Sequence, residues 1–317
     1  MPPLSNDTAD LVPRTEFGGG RGLRFDFPGL EVGVAEYDEG PTGCTVFHFP
    51  RGASCATDVR GGSPGTLGGY EWVRAICFAG GSLYGLEAGT GVAAELLARA
   101  DYEVGWTRIA PVSAAIVFDY RRGNSIYPDK ELGRAALRAA RPGVFPLGAR
   151  GAGRSVTVGK TFALERGEPA GQGGAFREAG PTRIAVFTVV NAFGAIVDRD
   201  GTVVRGHLDP EGTSRLPLVP EVERALAAGE APLFHPGNTT LTLVVTNQKL
   251  GQRALRQLGR QVHASMARGL QPFHSLVDGD VLYAATTNEV ENPQLDSVRL
   301  GVLASELAWD AVLCCLD

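Results

Sequence analysis

Several classes of partner are missing their signatures here. The 30 Lys and Arg residues form no basic cluster and the formal net charge is −5, which argues against nucleic acid. No stretch reaches the roughly 20 apolar residues of a membrane span. Met1 to Glu16 lacks the charged-then-apolar order of a secretory signal, so a cytoplasmic location is expected. Cysteine is sparse: Cys44, Cys55, Cys77, Cys314 and Cys315 are odd in number and lack zinc spacing, as reduced thiols rather than a disulfide framework would be. The histidines, His48, His207, His235, His263 and His274, are scattered without an HExxH or similar pattern, so neither a metal site nor a cofactor is expected. The Gly-rich stretch Cys55 to Tyr70 contains neither a P-loop pattern nor a GxGxxG opening a helix, and reads as a loop.

What is present is an ordinary globular composition, 44% hydrophobic and 21% charged over 317 residues, enough for a large core. Glycine, at 43 residues, is nearly twice its usual share but has no repeat period, which points to tight turns and close backbone approaches.

The chain centres on His235-Pro236-Gly237-Asn238-Thr239-Thr240 and the residues to Asn247. Pro236, Gly237 and Asn238 are turn formers. Thr and aliphatic residues alternate after them, which predicts a strand with one buried face. Thr239 thus opens a strand directly after a flexible Gly-Asn. A hydroxyl there can attack the Asn238 carbonyl and release Thr239 as a new chain end, whose amine then serves as base for its own hydroxyl. The reference pKa of an α-amine, about 7.7–8.0, suits that task. The same residues also read as a plain loop entering a strand, or as an N-glycosylation acceptor.

In chain order, residues 1–22 read as a disordered leader, followed by strands over 23–27, 30–37 and 43–49. Ala75 to Ala79 predicts a strand running into Gly80-Gly81-Ser82 and a helix from Leu83 to Arg99, with Ser82 as a possible cap. Ala114 to Tyr120 predicts a buried strand, Asp129 to Ala140 a helix with Arg134 and Arg138 solvated, and Ile184 to Val190 a strand ending at Asn191. Lys160, closing a Gly-rich alternating stretch, reads locally as pointing to water. Five prolines between Asp209 and Pro236 predict a mobile connection, interrupted by one helix near 220–228. Helices over 250–270 and 298–316 flank a strand over 281–286, which Asp278-Gly279-Asp280 precedes. This order favours a layered mixed α/β domain over a regular βαβ series.

Four stretches agree on one family. Gly237-Asn238-Thr239-Thr240, Ile76-Cys77-Phe78-Ala79-Gly80-Gly81-Ser82, Pro128-Asp129-Lys130 with Leu132 to Ala136, and Gln271-Pro272-Phe273-His274 followed by Asp278-Gly279-Asp280 resemble the DmpA-type N-terminal-nucleophile hydrolases. The likeness spans about Leu23 to the C-terminus and is nearest to the endo-acting branch that hydrolyses 6-aminohexanoate oligomers. It implies a self-processing amidase with an αββα sandwich as one catalytic domain, 23–317, assembled from fragments 1–238 and 239–317, and a cytoplasmic homotetramer of cut protomers. It implies Thr239 as nucleophile and base, Lys160 beside it, Asn191 in the oxyanion hole, and Asp278 and Asp280 orienting the amine. Ser82, Tyr84 and Phe118 are candidate substrate-binding residues. A tyrosine is usual in the family at the position of Phe118; Tyr120, two residues on, is expected on the same strand face. Related activities remain as alternatives: an aminopeptidase or β-aminopeptidase, or an acyltransferase like the ornithine acetyltransferases, whose usual Ala-Thr-Met junction is absent.

Overall fold

In Cys44-Thr45-Val46-Phe47-His48-Phe49, neighbouring side chains leave a strand on opposite faces, and that alternation sets the layering. The computed structural model describes residues 4–17, 19–231 and 236–316. In it Cys44 and Val46 join one hydrophobic cluster while Phe47 and Phe49 join another. The strand that carries them, Thr42–Val59, runs through one continuous nine-stranded ladder that folds at this strand into two facing sheets. Its first half pairs with Glu31–Tyr37 and Trp72–Ala79. Its last residues pair with Val281–Val290. The register slips between His48 and Ala53, around Pro50, which has no N–H to give, and such irregularities let one strand turn from sheet to sheet.

The first sheet extends through Val112–Ile116, parallel to Trp72–Ala79. The second runs Gln172–Ala179, Thr182–Asn191, Thr239–Gln248, Val281–Val290. Leu86–Arg99 and Lys130–Arg138 cover the outer face of the first sheet, over Ala75, Cys77 and Ala79. Gln252–Ser265 and Ser297–Leu313 cover the second. Helix, sheet, sheet, helix: this is the expected αββα sandwich. Aromatic rings close the space between the sheets, Phe47 lying 5.1 Å from Phe187 and Phe78 6.1 Å from Tyr283. Each such buried ring is worth about 1.5–3 kcal/mol of transfer free energy, and a well-placed ring pair adds about 0.5–1.5 kcal/mol.

The two outer helices on the first sheet meet through glycine. A Cβ on Gly133 would stand 2.0 Å from the Ala88 carbonyl oxygen. Alanine is the better helix former by about 0.8–1 kcal/mol, but relieving that overlap requires moving one helix, and overpacking costs about 1–3 kcal/mol or more. Gly133→Ala is therefore expected to lower the urea midpoint, with a net loss of about 1–2 kcal/mol.

Several sequence expectations change. The Thr239–Gln248 strand has both faces buried, because it is central in its sheet and covered by the other sheet and by helices. The Thr242 hydroxyl is held by Thr188 at 3.1 Å and reaches the Met266 sulfur at 3.4 Å. Arg134 and Arg138 are not simply solvated, since both reach the buried Glu95. Ser82 caps nothing by side chain; it opens a 3₁₀ turn, Ser82–Gly85, before the helix. The leader, expected to be disordered, is tied down where it is described: the Asn6 side chain donates to the Tyr127 carbonyl and to Asp129, both at 3.0 Å, and Arg14 bridges to Glu36. The connection expected to be mobile is anchored by Arg215–Glu168 at 2.7 Å and Arg166–Glu221 at 2.7 Å, around the helix Leu218–Ala227. Its last part, Pro232 to His235, lies outside the described residues. No helix among those described is long and apolar enough to cross a membrane.

Candidate active site

Strand register brings the site together. Thr239 pairs across the antiparallel ladder with Asn191, the last residue of its strand. On the other side Val281–Val290 runs parallel to Thr239–Gln248, so the two strands begin at the same end and the residues before them meet. Asn238 accordingly forms a parallel bridge with Asp278.

The bond before Thr239 sits in a defined cradle. The Gly279 N–H donates to the Asn238 carbonyl oxygen at 2.7 Å, and the Thr239 hydroxyl donates to the same oxygen at 2.5 Å. Thr239 is 4% exposed. Asp280 accepts from the Thr240 N–H at 2.6 Å, and Asp278 from the Phe193 N–H at 3.1 Å and from Ser275. Asp280 therefore holds the backbone just after Thr239, while Asp278 ties its own turn to Ser275 and to Phe193, just beyond Asn191. Burial, and then the negative charge of Asp280, pushes the Asp278 carboxyl above its usual range. The stretch expected as a loop over 55–70 is instead strand up to Val59, paired with Val281–Val290, and again at Thr66–Leu67; between these, Arg60 N–H donates to the Asp280 carbonyl at 3.1 Å and Ser63 N–H to the Asp278 carbonyl at 2.9 Å, bracing the turn from outside.

Lys160 does not point to water. It is fully buried, and its ammonium donates to the Asn191 main-chain carbonyl at 3.0 Å and to its Oδ1 at 3.1 Å. A lysine in that position fixes which way the Asn191 amide faces. The Asn191 NH₂ is thereby turned toward the segment before Thr239, donating to the Gly237 carbonyl at 3.1 Å and the Phe118 carbonyl at 3.0 Å.

Thr239 opens onto a cavity of about 410 Å³, lined by Ser63, Pro64, Ser82, Leu83, Phe118 and the 236–238 segment. Two candidate binding residues, Ser82 and Phe118, thus line the same cavity as Thr239. Tyr84 does not; it is 68% exposed and lines a neighbouring cavity of about 440 Å³ with Tyr120 and Tyr127. Tyr120 is not on the strand face of Phe118, because that strand ends at Ile116 and Tyr120 begins a 3₁₀ turn. Its ring instead meets Phe118 edge-on at 5.5 Å. Among the described residues no three His, Cys, Asp or Glu side chains gather as a metal site would require.

Two contributors escaped the sequence reading. The Gly279 N–H is a main-chain donor and carries no residue-type signal, although glycine between two acids hints at a close approach. His263 and His274, eleven positions apart, come together with ring centroids 4.4 Å apart, and His274 reaches Asp280.

This fold, with a threonine opening a central strand against a main-chain donor and an amide, defines an amide-bond hydrolase of the N-terminal-nucleophile type. Residues 25–313 match the family model, and the chain belongs to peptidase family S58. The 6-aminohexanoate-oligomer endohydrolase of Agromyces sp. (strain KY5R) is 47% identical, covering 97% of this chain and 89% of its own. The enzyme of the same name from Paenarthrobacter ureafaciens has the same identity and coverage. Among solved structures, the Burkholderia sp. beta-aminopeptidase superposes with TM-score 0.62 over 95% of this chain and 89% of its own at 17% identity. That likeness carries the fold alone.

Proposed function

We propose that this protein cuts itself between Asn238 and Thr239, and then uses Thr239 as an N-terminal nucleophile to hydrolyse internal amide bonds of 6-aminohexanoate oligomers. The observation that carries the reading is the pair of donors, Gly279 N–H and Thr239 hydroxyl, on the one carbonyl oxygen of Asn238. Attack by Thr239 Oγ on that carbonyl carbon places negative charge on an oxygen that already faces a fixed N–H. The amide nitrogen leaves with a proton as the amine of Thr239, and water hydrolyses the resulting ester to free the Asn238 carboxylate.

The same geometry then serves the substrate. Pro236, Gly237 and Asn238 line the cavity beside Thr239, so their withdrawal vacates the place of a substrate acyl group and releases the Asn191 NH₂ toward the new oxyanion. The Thr239 amine takes the hydroxyl proton and passes it to the leaving nitrogen. Lys160 holds Asn191 and adds a positive charge that favours a neutral amine and an anionic transition state. Asp278 and Asp280 keep the turn and the strand opening in place. The name borne by relatives at 47% identity supports the oligoamide substrate. Association of the two fragments, a homotetramer and a cytoplasmic location complete the reading.

Mass analysis and N-terminal sequencing of purified protein test it. A fragment of residues 239–317 starting at Thr239 is expected, and a 6-aminohexanoate oligomer acetylated at its amine should still be cut internally. An intact, active chain would overturn self-processing. Strict need for a free substrate amine would make it an aminopeptidase instead.

A further inference from the structure

Asp280 is wholly buried and its two oxygens are divided between tasks. One accepts from Thr240 N–H; the other accepts from both the main-chain N–H of His274, at 3.1 Å, and its Nδ1, at 3.0 Å. His274 holds a left-handed backbone, φ +60°, a conformation that non-glycine residues seldom adopt and that tends to mark functional turns. Its ring stacks on Phe273 at 3.9 Å and meets the edge of His263. His263 is fully buried on the helix Gln252–Ser265, with Nδ1 2.9 Å from Asp58, which Arg60 holds at 2.6 Å. The Nε2 atoms of both imidazoles are buried and meet no protein partner among the described residues. Leaving such atoms unsatisfied is destabilising, and a purely apolar packing of that space would avoid it.

We infer that His274, braced by His263, is a positioning residue: it steers the Asp280 carboxylate so that its free oxygen fixes the Thr240 N–H and, through it, the backbone of the nucleophile. The inference rests on the proposed function, since it needs Thr239 as nucleophile. The charged and titratable groups around Asp280 are Asp278 on its own turn, His274 before it, His263 on the covering helix, and Asp58 and Arg60 at the end of the long strand.

Two substitutions separate donation from packing. His274→Asn keeps a side-chain N–H and suits a left-handed backbone, but loses the stacked ring. His274→Phe keeps the ring and loses the donor. Self-cleavage rate, and kcat and KM of the cut protein on a linear 6-aminohexanoate trimer, are measured across pH. The Phe variant is expected to self-cleave and turn over at least about tenfold more slowly, with KM within about twofold. The Asn variant is expected within about threefold of wild type in both self-cleavage and kcat. A Phe variant equal to or better than the Asn variant would make the ring mere packing and overturn the inference. A wild-type chain that neither cuts itself nor hydrolyses the trimer overturns the proposed function, and this inference with it, whatever the variants do.

Discussion

Thr239→Ala is expected to run as one full-length band on a denaturing gel and to lose on the order of 10⁴–10⁶ in kcat, the scale seen when a covalent nucleophile is removed. Both losses come from one atom. The Thr239 hydroxyl lies 2.5 Å from the Asn238 carbonyl oxygen. Thr239→Ser keeps the oxygen and should still be cut, with a slower rate because the methyl group that restricts χ1 is lost. Thermal unfolding separates the chemistry from the fold: Thr239 contributes one methyl and one hydroxyl to a strand held by two ladders, so the Ala variant should melt within a few degrees of an uncut wild-type chain. Cutting of the Ala variant between residues 238 and 239 would mean that another group does the work.

Gly279→Ala should be nearly as damaging without touching a reactive group. A Cβ there would stand 2.8 Å from Thr239 Oγ1 and 2.6 Å from the Ser63 carbonyl oxygen. The carbonyl belongs to the bracing loop and cannot swing away as a side-chain tip would, so the turn or the hydroxyl must shift. Either shift degrades the 2.7 Å contact from Gly279 N–H to the Asn238 oxygen. Loss of one preorganised oxyanion donor typically lowers kcat by about 10²–10³, and the displaced hydroxyl adds to that. Precursor accumulation on gels over hours, against a wild-type chain cut by the time it is purified, is the expected result. A variant processed at the wild-type rate would remove Gly279 from the machinery.

The contrast between Thr239 and Lys160 shows what could be read in the sequence. Thr239 stands where a turn signal meets an alternating run, both local features, so its place at a strand opening was visible in neighbouring residues. The helices Lys130–Arg138 and Ser297–Leu313 were visible for the same reason, each with an Asp cap receiving a hydrogen bond. Lys160 looked like a solvated strand end, because what buries it is the Asn191 strand end 31 positions away. Only the resemblance brought it near the nucleophile. Nothing local marks where the Val112–Ile116 strand stops, so Tyr120 reads as part of it, and Asn6 reads as unstructured because its partners near Tyr127 lie more than a hundred residues on. The pairing of His263 with His274 depends on how a helix lies over a turn, which spacing along the chain does not encode.

The order of strands in the second sheet bears on what a broken chain would look like. Thr239–Gln248 and Val281–Val290 lie side by side, with Thr182–Asn191 on one flank and the end of Thr42–Val59 on the other. Both long strands after residue 238 are thus woven into the middle of a sheet whose flanks precede it. Scission at that point alters the topology of the polymer but leaves no seam along which the pieces could part, and the shorter piece has no separate core to fold around.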